Sequence, residues 1–301
     1  MNERKKGTVA KRRAGAVPQE GKRPLLAYLR GVMASLNRTD RLIAECVLAD
    51  PEKVITSSVA ELSQSCGASV GAVVGFCQKL GLKGFVDFRI ALARDMAQAG
   101  LPAGDGRESD TLFEKVFRFH AQSLVETLQV NPPSSFERAA QAMEKARRIE
   151  FFSIGLSFSV AHTASAKFLL LGMPATAQFD SHLQLISATQ MKAGDLAFGI
   201  SLSGTTRETV QCLEVAQSKG ATTICLTNAM KSPITTHSDF CLFATPSEIK
   251  YFQAPLASRV TQLAVIDALF VSLALKSKNR TAVRLQQSGE ELLKRRLESS
   301  R

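Results

Sequence analysis

The first hundred residues carry apolar positions at helical spacing, separated by short polar breaks. Ser58 and Glu61 stand three residues apart before an apolar stripe, which is the capping box that satisfies two free backbone N–H groups at a helix start. Gly67 can adopt the positive φ that ends such a helix, and Ser69 can cap the next one. The pattern predicts a helix, a tight glycine turn, and a second helix that runs to Leu80.

The second of these helices has two unlike faces. Val73, Phe76, Cys77 and Leu80 fall at i, i+3, i+4 and i+7, so they form an apolar stripe that packs inward. In a helix-turn-helix the opposite stripe enters the DNA major groove. The candidate DNA-binding residues are therefore those on and beside that stripe: Ser69, Val70, Gly71, Val74, Gly75, Gln78, Lys79 and Lys83.

The pattern changes in the second part of the chain. A helical stretch over 112–130 is ended by Pro132 and Pro133, and short β-rich runs then alternate with helical stretches. A short turn through Pro233 precedes the last run. Such alternation predicts a parallel sheet with helices on both faces. The β-rich runs are RIEFFSIG, ATAQF, DLAFGISLSG, ATTICLT and DFCLFA.

A segment without apolar period, AQAGLPAGDGRESD, separates the two patterns and has the composition of a hinge. We expect an all-α N-terminal domain followed by an α/β domain. The predicted division is a basic disordered tail over 1–23, a helix-turn-helix domain over 24–97, a linker over 98–110, and the α/β domain with flanking helices over 111–301.

Charge is concentrated at the N-terminus. The first 23 residues hold eight Lys or Arg against two Glu, which is more than half of the formal net charge of +11. Such a tail could wrap DNA phosphates and make binding strongly salt-dependent. The alternative is a solvated tail without a specific partner. No apolar stretch has the length of a signal peptide or a membrane span, so we expect a cytoplasmic protein with no membrane partner.

The six cysteines form no CxxC pair and the four histidines are scattered, so we predict no metal site, disulfide or cofactor.

Two loops at strand ends are rich in glycine and hydroxyls. In parallel sheets a ligand sits where strands end and helices begin, because loop N–H groups and helix N-termini point at an anion there. Any turn prefers Ser, Thr and Gly, but the occurrence of two such loops at strand ends favours a phosphate site. The candidate ligand-binding residues are Gly155, Ser157 and Ser159 in the first loop, and Ser201, Ser203, Gly204, Thr205 and Thr206 in the second.

The segment LNRTDRLIAECVLADPEKVITSSVAELSQSCGASVGAVVGFCQKLGLKGFVDFRIALA resembles the N-terminal domain of the RpiR family of bacterial transcriptional regulators. Family members usually carry an acidic residue at the position of Val70 and arginines at those of Gly75 and Gln78, whereas the presented face is uncharged here. Two readings stay open: Gly71 and Gly75 let the helix approach the groove floor and leave Gln78 and Ser69 to read base edges, or the domain is a weak reader. A helical interaction module is a further alternative.

The region from Ile149 to Ala244 resembles the sugar isomerase (SIS) domain, with GLSFSVAHTASAKFLLLGMPA, DLAFGISLSGTTRETVQCLEVAQSKGATTICLTN and SPITTHSDFCLFA in order. The resemblance implies a flavodoxin-like sheet and a phosphosugar held by the hydroxyl loops. Many relatives read Gly-x-Gly-x-Ser in the first loop, and Ser157 replaces the second glycine here. The residues that the resemblance implies as phosphate or hydroxyl ligands are Ser157, Ser201, Ser203 and Thr206.

A helix-turn-helix followed by a SIS domain is the RpiR family's own architecture. The resemblance implies a DNA-binding regulator, and a repressor, whose effector is a phosphorylated sugar or sugar acid. A palindromic operator requires an even number of copies, so a dimer or a tetramer is expected. The alternative is a phosphosugar isomerase with an appended helical domain, which needs a base. Glu208, His162 and Glu248 are candidates, but none has an orienting partner visible in the sequence, and we predict a sensor that is not an enzyme.

Overall fold

The computed structural model describes residues 24–98, 111–245 and 258–276, together with three isolated positions, Val283, Gln286 and Glu290. The predicted basic tail over 1–23 lies outside the described residues, as does the predicted linker apart from Gln98, which ends a helix. Glu248 also lies outside them.

The N-terminal part is all helical. Its core is formed by Leu29, Ile43, Phe76, Phe88 and Leu92, each of which is essentially inaccessible to solvent. A short 3₁₀ turn over 33–35 follows the first helix. The six helices are α1 (Leu25–Val32), α2 (Arg38–Ala49), α3 (Pro51–Thr56), α4 (Val59–Cys66), α5 (Val70–Lys79) and α6 (Phe85–Gln98).

Helices α4 and α5 form the predicted helix-turn-helix. The Ser58 hydroxyl accepts the N–H of Glu61 at 3.2 Å, and the Glu61 carboxylate accepts the N–H of Ser58 at 2.7 Å. Gly67 has φ 66°, and the Ser69 hydroxyl accepts the N–H of Ala72 at 3.2 Å. The capping box, the glycine turn and the second cap are thus confirmed, and α5 ends one residue before the predicted Leu80.

The second part alternates helices and strands, so the expected all-α then α/β organisation is confirmed. The predicted turn through Pro233 is a four-residue helix that begins at this proline, a position where the missing N–H costs no hydrogen bond. The elements are α7 (Leu112–Val130), α8 (Pro133–Lys145), β1 (Ile149–Phe152), α9 (Phe158–Leu170), β2 (Ala175–Ala177), α10 (Ser181–Thr189), β3 (Leu196–Ile200), α11 (Arg207–Ser218), β4 (Thr222–Thr227), α12 (Pro233–Thr236), β5 (Phe240–Phe243) and α13 (Ser258–Lys276).

The five strands pair in parallel in the order β2-β1-β3-β4-β5, which is the flavodoxin-like order. Phe151 and Phe198 pack on one face of the sheet with α8, α9 and α13. Phe152, Ala197 and Cys225 face the other side, where α10, α11 and α12 lie. Because both faces are covered, every residue of β3 is buried. The carboxyl ends of β1, β3 and β4 lie at one edge of the sheet.

The two parts of the chain meet at α1. Arg30 forms an ion pair with Glu126 of α7, whose side chain is only 4% exposed. The backbone N–H of Met230, in the loop after β4, donates to the carbonyl oxygen of Gly31 at 2.9 Å. The contact therefore joins the helical part directly to the carboxyl edge of the sheet.

Candidate functional site

The second hydroxyl loop folds back on itself directly after β3. Ser201 is buried, its hydroxyl lies 3.0 Å from that of Thr206, and it accepts the N–H of Gly204 at 3.2 Å. The hydroxyls of Ser203 and Thr205 lie 2.8 Å apart on the exposed side of the loop. The loop is therefore a closed turn with one pair of hydroxyls inside and one pair at its surface.

Only glycine fits at the centre of this turn. Gly204 has φ 66°, and a Cβ built there would lie 2.1 Å from the hydroxyl oxygen of Ser232. The carbonyl oxygen of Gly204 also accepts the N–H of Ile234 at 3.0 Å. The backbone of the loop thus lies directly against the segment that follows β4. At position 204 only a glycine can come so close to that segment.

The loop leads into the N-terminus of α11. Thr206 is the N-cap residue, yet its hydroxyl bonds to Ser201 and makes no side-chain cap. The first-turn N–H groups and the positive end of the helix dipole therefore face the loop, an arrangement that suits an anion. Arg207 is exposed beside them and can add a charge-assisted bond. This geometry fits a phosphate group.

The first hydroxyl loop follows β1, the neighbour of β3. Gly155 has φ 63° and opens a 3₁₀ turn over Gly155–Ser157, and α9 follows at once. The Ser159 hydroxyl donates to the carbonyl oxygen of Leu156 at 2.8 Å, so it closes its own turn. Ser157 makes no side-chain cap on α9 and is half-buried. Of the two serines, Ser157 is the freer to contact a ligand.

Two residues that the sequence analysis missed stand at the same edge of the sheet. Ser153, fully buried after β1, donates its hydroxyl to the carbonyl oxygen of Ile200 at 2.9 Å and so ties the two loops together. Asn228 follows β4, and both polar atoms of its buried amide lack a hydrogen-bond partner among the described residues. The signal in the sequence was a polar residue directly after each buried strand.

The helix-turn-helix presents the face of α5 that the sequence predicted. Val70, Gly71 and Gln78 are exposed, and Val74 and Gly75 are half-buried. Helix α5 packs against α2, and a cleft of about 570 Å³ lies between them. Its lining is Asn37, Arg38, Thr39, Asp40, Gly71, Ala72, Gly75 and Lys79.

The two glycines of α5 line this cleft and face open space. A Cβ built on Gly75 would meet no described atom within 4 Å, and one on Gly71 would meet only the Ser69 hydroxyl, at 4.0 Å. Neither glycine is therefore required by packing. Arg38, exposed on the rim, is a cation that the sequence analysis did not single out.

Lys79 was predicted as a DNA contact, and the structure places its ammonium on the Asp40 carboxylate at 2.7 and 3.0 Å. Ser69 caps α5 through its hydroxyl, and Lys83 is exposed in the turn that follows the helix. The C-terminal end of α5 and the turn after it thus carry two exposed lysines, of which Lys79 is paired with Asp40.

Nucleophilic and metal-binding chemistry has little support in the described residues. Burial raises the pKa of the Cys77 and Cys212 thiols to about 12, so they stay protonated and behave as small hydrophobes. Glu208 lies in the first turn of α11, as a helix-favouring carboxylate does, and both it and His162 are exposed. No group of three metal-ligating side chains occurs within the described part of the chain.

No helix among the described residues combines the length and the apolar character needed to cross a bilayer.

Known families match both parts of the chain. Residues 24–99 match the helix-turn-helix domain of the rpiR family, and residues 142–272 match the SIS domain. An uncharacterized HTH-type transcriptional regulator from Caldanaerobacter subterraneus is 36% identical over 277 residues, 91% of this chain and 98% of that protein. The HTH-type transcriptional regulator HexR of Pseudomonas aeruginosa is 32% identical, covering 84% of this chain and 90% of its own length.

Solved structures agree with these sequence relatives. The Vibrio vulnificus NanR protein complexed with ManNAc-6P is similar over 89% of this chain and 98% of that one, with 26% identity and a TM-score of 0.58. The sugar isomerase domain of an RpiR transcription factor from Sphaerobacter thermophilus is similar over 60% of this chain and 99% of its own, with 25% identity and a TM-score of 0.56. The chain belongs to the rpiR family of helix-turn-helix transcriptional regulators with a SIS domain.

Proposed function

We propose that this regulator binds operator DNA through α5 and senses a phosphorylated sugar or sugar acid at the carboxyl edge of its sheet. In this proposal the DNA-binding domain spans 24–97 and the sensing domain 111–301. The observation that carries it is the Ser201–Thr206 turn, which holds hydroxyls and glycine backbone at the uncapped N-terminus of α11. A phosphate there gains several charge-assisted hydrogen bonds at once.

We assign the ligand contacts to both hydroxyl loops, in different roles. Ser203 and Thr205 are exposed and can turn their hydroxyls to the ligand, whereas Ser201 and Thr206 bond each other and shape the turn. Gly155 and Gly204 supply the left-handed backbone conformation of each loop. The proposed set is Gly155, Ser157, Ser159, Ser201, Ser203, Gly204, Thr205 and Thr206.

The DNA contacts that we assign are uncharged along α5 and basic only at its C-terminal end and in the turn that follows. The open space over Gly71 and Gly75 supports close approach of the α5 backbone to the groove. The remaining candidates lie beside it: Ser69, Val70, Val74, Gln78, Lys79 and Lys83.

We propose that the chain is not an enzyme. Isomerisation needs a positioned base with a pKa near the working pH, and the described candidates, Glu208 and His162, are both exposed, with no resolved hydrogen bond that would orient them. We further propose a repressor that acts as a dimer or a tetramer, since two helix-turn-helix units on one palindrome require two-fold symmetry. The name of NanR's ligand in its solved complex supports a phosphorylated sugar as the effector class.

Thermal unfolding of the full chain against a panel of sugar phosphates tests the proposal. A ligand that binds only the folded state adds about 2.7 kcal/mol at a hundredfold excess over its Kd. We expect at least one compound to raise the melting temperature of the wild type, and expect Ser203→Ala to lose that shift. Ser218→Ala is the matched control, since Ser218 is an exposed serine at the far end of α11, the helix that follows the loop.

A shift that survives in Ser203→Ala would remove Ser203 from the site, and no shift with any compound would contradict the sensing function. Turnover of an aldose or ketose phosphate that Glu208→Gln abolishes would instead establish the isomerase.

A further inference from the structure

The contact between Gly31 and Met230 leaves no room for a side chain on the glycine while the Met230 side chain keeps its position. The N–H of Met230 donates to the carbonyl oxygen of Gly31 at 2.9 Å, and a Cβ on Gly31 would lie 2.9 Å from Met230 Cγ and 3.1 Å from its Sδ. Gly31 is buried in α1. The loop after β4 therefore lies directly against the backbone of a helix of the DNA-binding domain.

The same loop also supports the proposed ligand turn. The N–H of Asn228 and the hydroxyl of Thr227 both donate to the carbonyl oxygen of Leu202, at 3.0 and 3.2 Å. Ser232 fills the space that a side chain at Gly204 would need. Residues 228–232, which we call the coupling loop, thus touch the ligand turn at both ends and α1 in the middle.

Helix α1 is in turn fixed to the rest of the DNA-binding domain. The N–H of Leu26 donates to the Asp95 carboxylate of α6 at 2.7 Å, and α1 packs against α2. Helix α2 packs against α5 and carries Asp40, the partner of Lys79. A single residue, Lys231, therefore separates Ser232, the neighbour of Gly204, from the contact at Met230. From that contact the packing runs through α1 to α2 and from α2 to α5.

We propose that the coupling loop transmits effector binding to the DNA-binding domain, with Met230 and Gly31 as the point of transfer. The proposal rests on the proposed function, in which the Ser201–Thr206 turn holds the effector. Close-packed contacts of this kind pass on small displacements because they cannot deform continuously. A ligand that draws the turn toward itself shifts Leu202 and Gly204, and the coupling loop moves with them against α1.

One test compares the effect of a sugar phosphate on DNA affinity between variants of the full chain. The probes are ManNAc-6P, glucose 6-phosphate and arabinose 5-phosphate, and the DNA is a fluorescent duplex selected from a random pool by the wild type. We expect a probe that binds to change wild-type affinity by a factor of about 5 to 150. In Gly31→Ala the change in DNA affinity should fall below twofold, because the new methyl displaces Met230 from its contact with α1.

The double variant Gly31→Ala/Met230→Ala should restore the effect, since removal of the methionine side chain makes room for the methyl and keeps the backbone hydrogen bond between residues 230 and 31. Probe affinity, measured by calorimetry without DNA, should stay within twofold in all three proteins. An unchanged DNA effect in Gly31→Ala, with probe binding intact, overturns the coupling loop but leaves the sensor. If none of the probes binds the wild type, that result would instead count against the proposed function.

A second measurement needs no effector. Ser232→Ala loosens the support of Gly204 at one end of the coupling loop, so amide hydrogen exchange in 26–32 of α1 should quicken at least threefold in the full chain. Ser218→Ala should leave that segment unchanged. Faster exchange confined to 228–236, with 26–32 at the wild-type rate, would show that the loop and α1 move independently and would refute the inference whatever the probes do.

Discussion

The ammonium of Lys79 bonds both carboxylate oxygens of Asp40, at 2.7 and 3.0 Å, across the gap between α5 and α2. The lysine is 60% exposed and the aspartate side chain only 8%. The pair places a neutralised cation at the end of α5, which carries no other charged residue. The Lys79 charge is therefore available to a phosphate only if its ion pair with Asp40 breaks.

Replacing Asp40 by Asn tests that balance. The amide keeps the oxygen and the size of the side chain but frees the Lys79 charge, so we expect tighter DNA binding at low salt. If Lys79 then contacts one phosphate, the slope of log affinity against log salt should steepen by about 0.9. Fluorescence anisotropy over a salt series measures it. In the control, Asp40→Asn/Lys79→Gln, the gain should vanish; a gain that persists there would rule out Lys79 as its source.

A substitution at Gly75 should raise stability and weaken DNA binding at the same time. It lies inside α5 with open space beyond its Cα, so Gly75→Ala should stabilise the protein by about 0.5 to 1 kcal/mol. If the helix backbone approaches the groove closely, the same methyl should weaken operator binding severalfold. Urea unfolding and anisotropy together measure the two effects.

The companion change, Gly75→Arg, adds the side chain usual at this position in the family. Unchanged operator affinity and specificity in both variants would contradict a close approach of the α5 backbone to the groove. It would also mean that DNA binding does not depend on the lack of a side chain at position 75.

Much of the architecture was readable from the chain because it follows from local chemistry. The Ser58–Glu61 capping box, Gly67 and Ser69 each act over at most three residues, and all three behave as predicted. The β-rich runs predicted the parallel sheet, because strands covered on both faces are mostly apolar. The flavodoxin-like strand order came from the family resemblance, since order depends on pairing between distant segments.

Long-range partners could not be predicted in the same way. Lys79 is 39 residues from Asp40, and nothing in their local sequences marks them as a pair. The contact of Gly31 with Met230 spans about two thirds of the chain, and a single glycine in an apolar helix gives no sign of it. The sequence placed Ser201 and Ser203 in one loop but did not indicate that one hydroxyl is buried and the other exposed.

Gly204 should be far less replaceable than a glycine of similar backbone conformation. Gly204 and Gly194 both have positive φ, 66° and 89°, but only Gly204 would drive a Cβ into Ser232. Gly194→Ala should cost about 1 to 2 kcal/mol from backbone strain alone. Gly204→Ala should cost more and should abolish the thermal shift given by sugar phosphates. Equal losses of stability in the two variants, measured by urea unfolding, would contradict the close packing of Gly204 against Ser232.

The buried carboxyl of Asp95 should make stability depend on pH at the junction with α1. Burial raises its pKa above the ordinary value, and the Leu26 N–H and Arg30 offset this only in part. The folded state then binds the proton more tightly than the unfolded chain, so this contribution is complete below the unfolded pKa and is lost as pH rises through the raised folded pKa.

Asp95→Asn removes that titration while keeping an oxygen for the N–H of Leu26. Relative to the variant, the wild type should therefore lose free energy of unfolding as pH rises across the interval between those two pKa values. Urea unfolding in steps of half a pH unit from pH 4 to pH 8 measures the difference. Asp267→Asn, which alters an aspartate 54% exposed on α13, is the control and should show a flatter difference. A difference between wild type and Asp95→Asn that is constant with pH would mean that Asp95 titrates alike in the folded and unfolded chains.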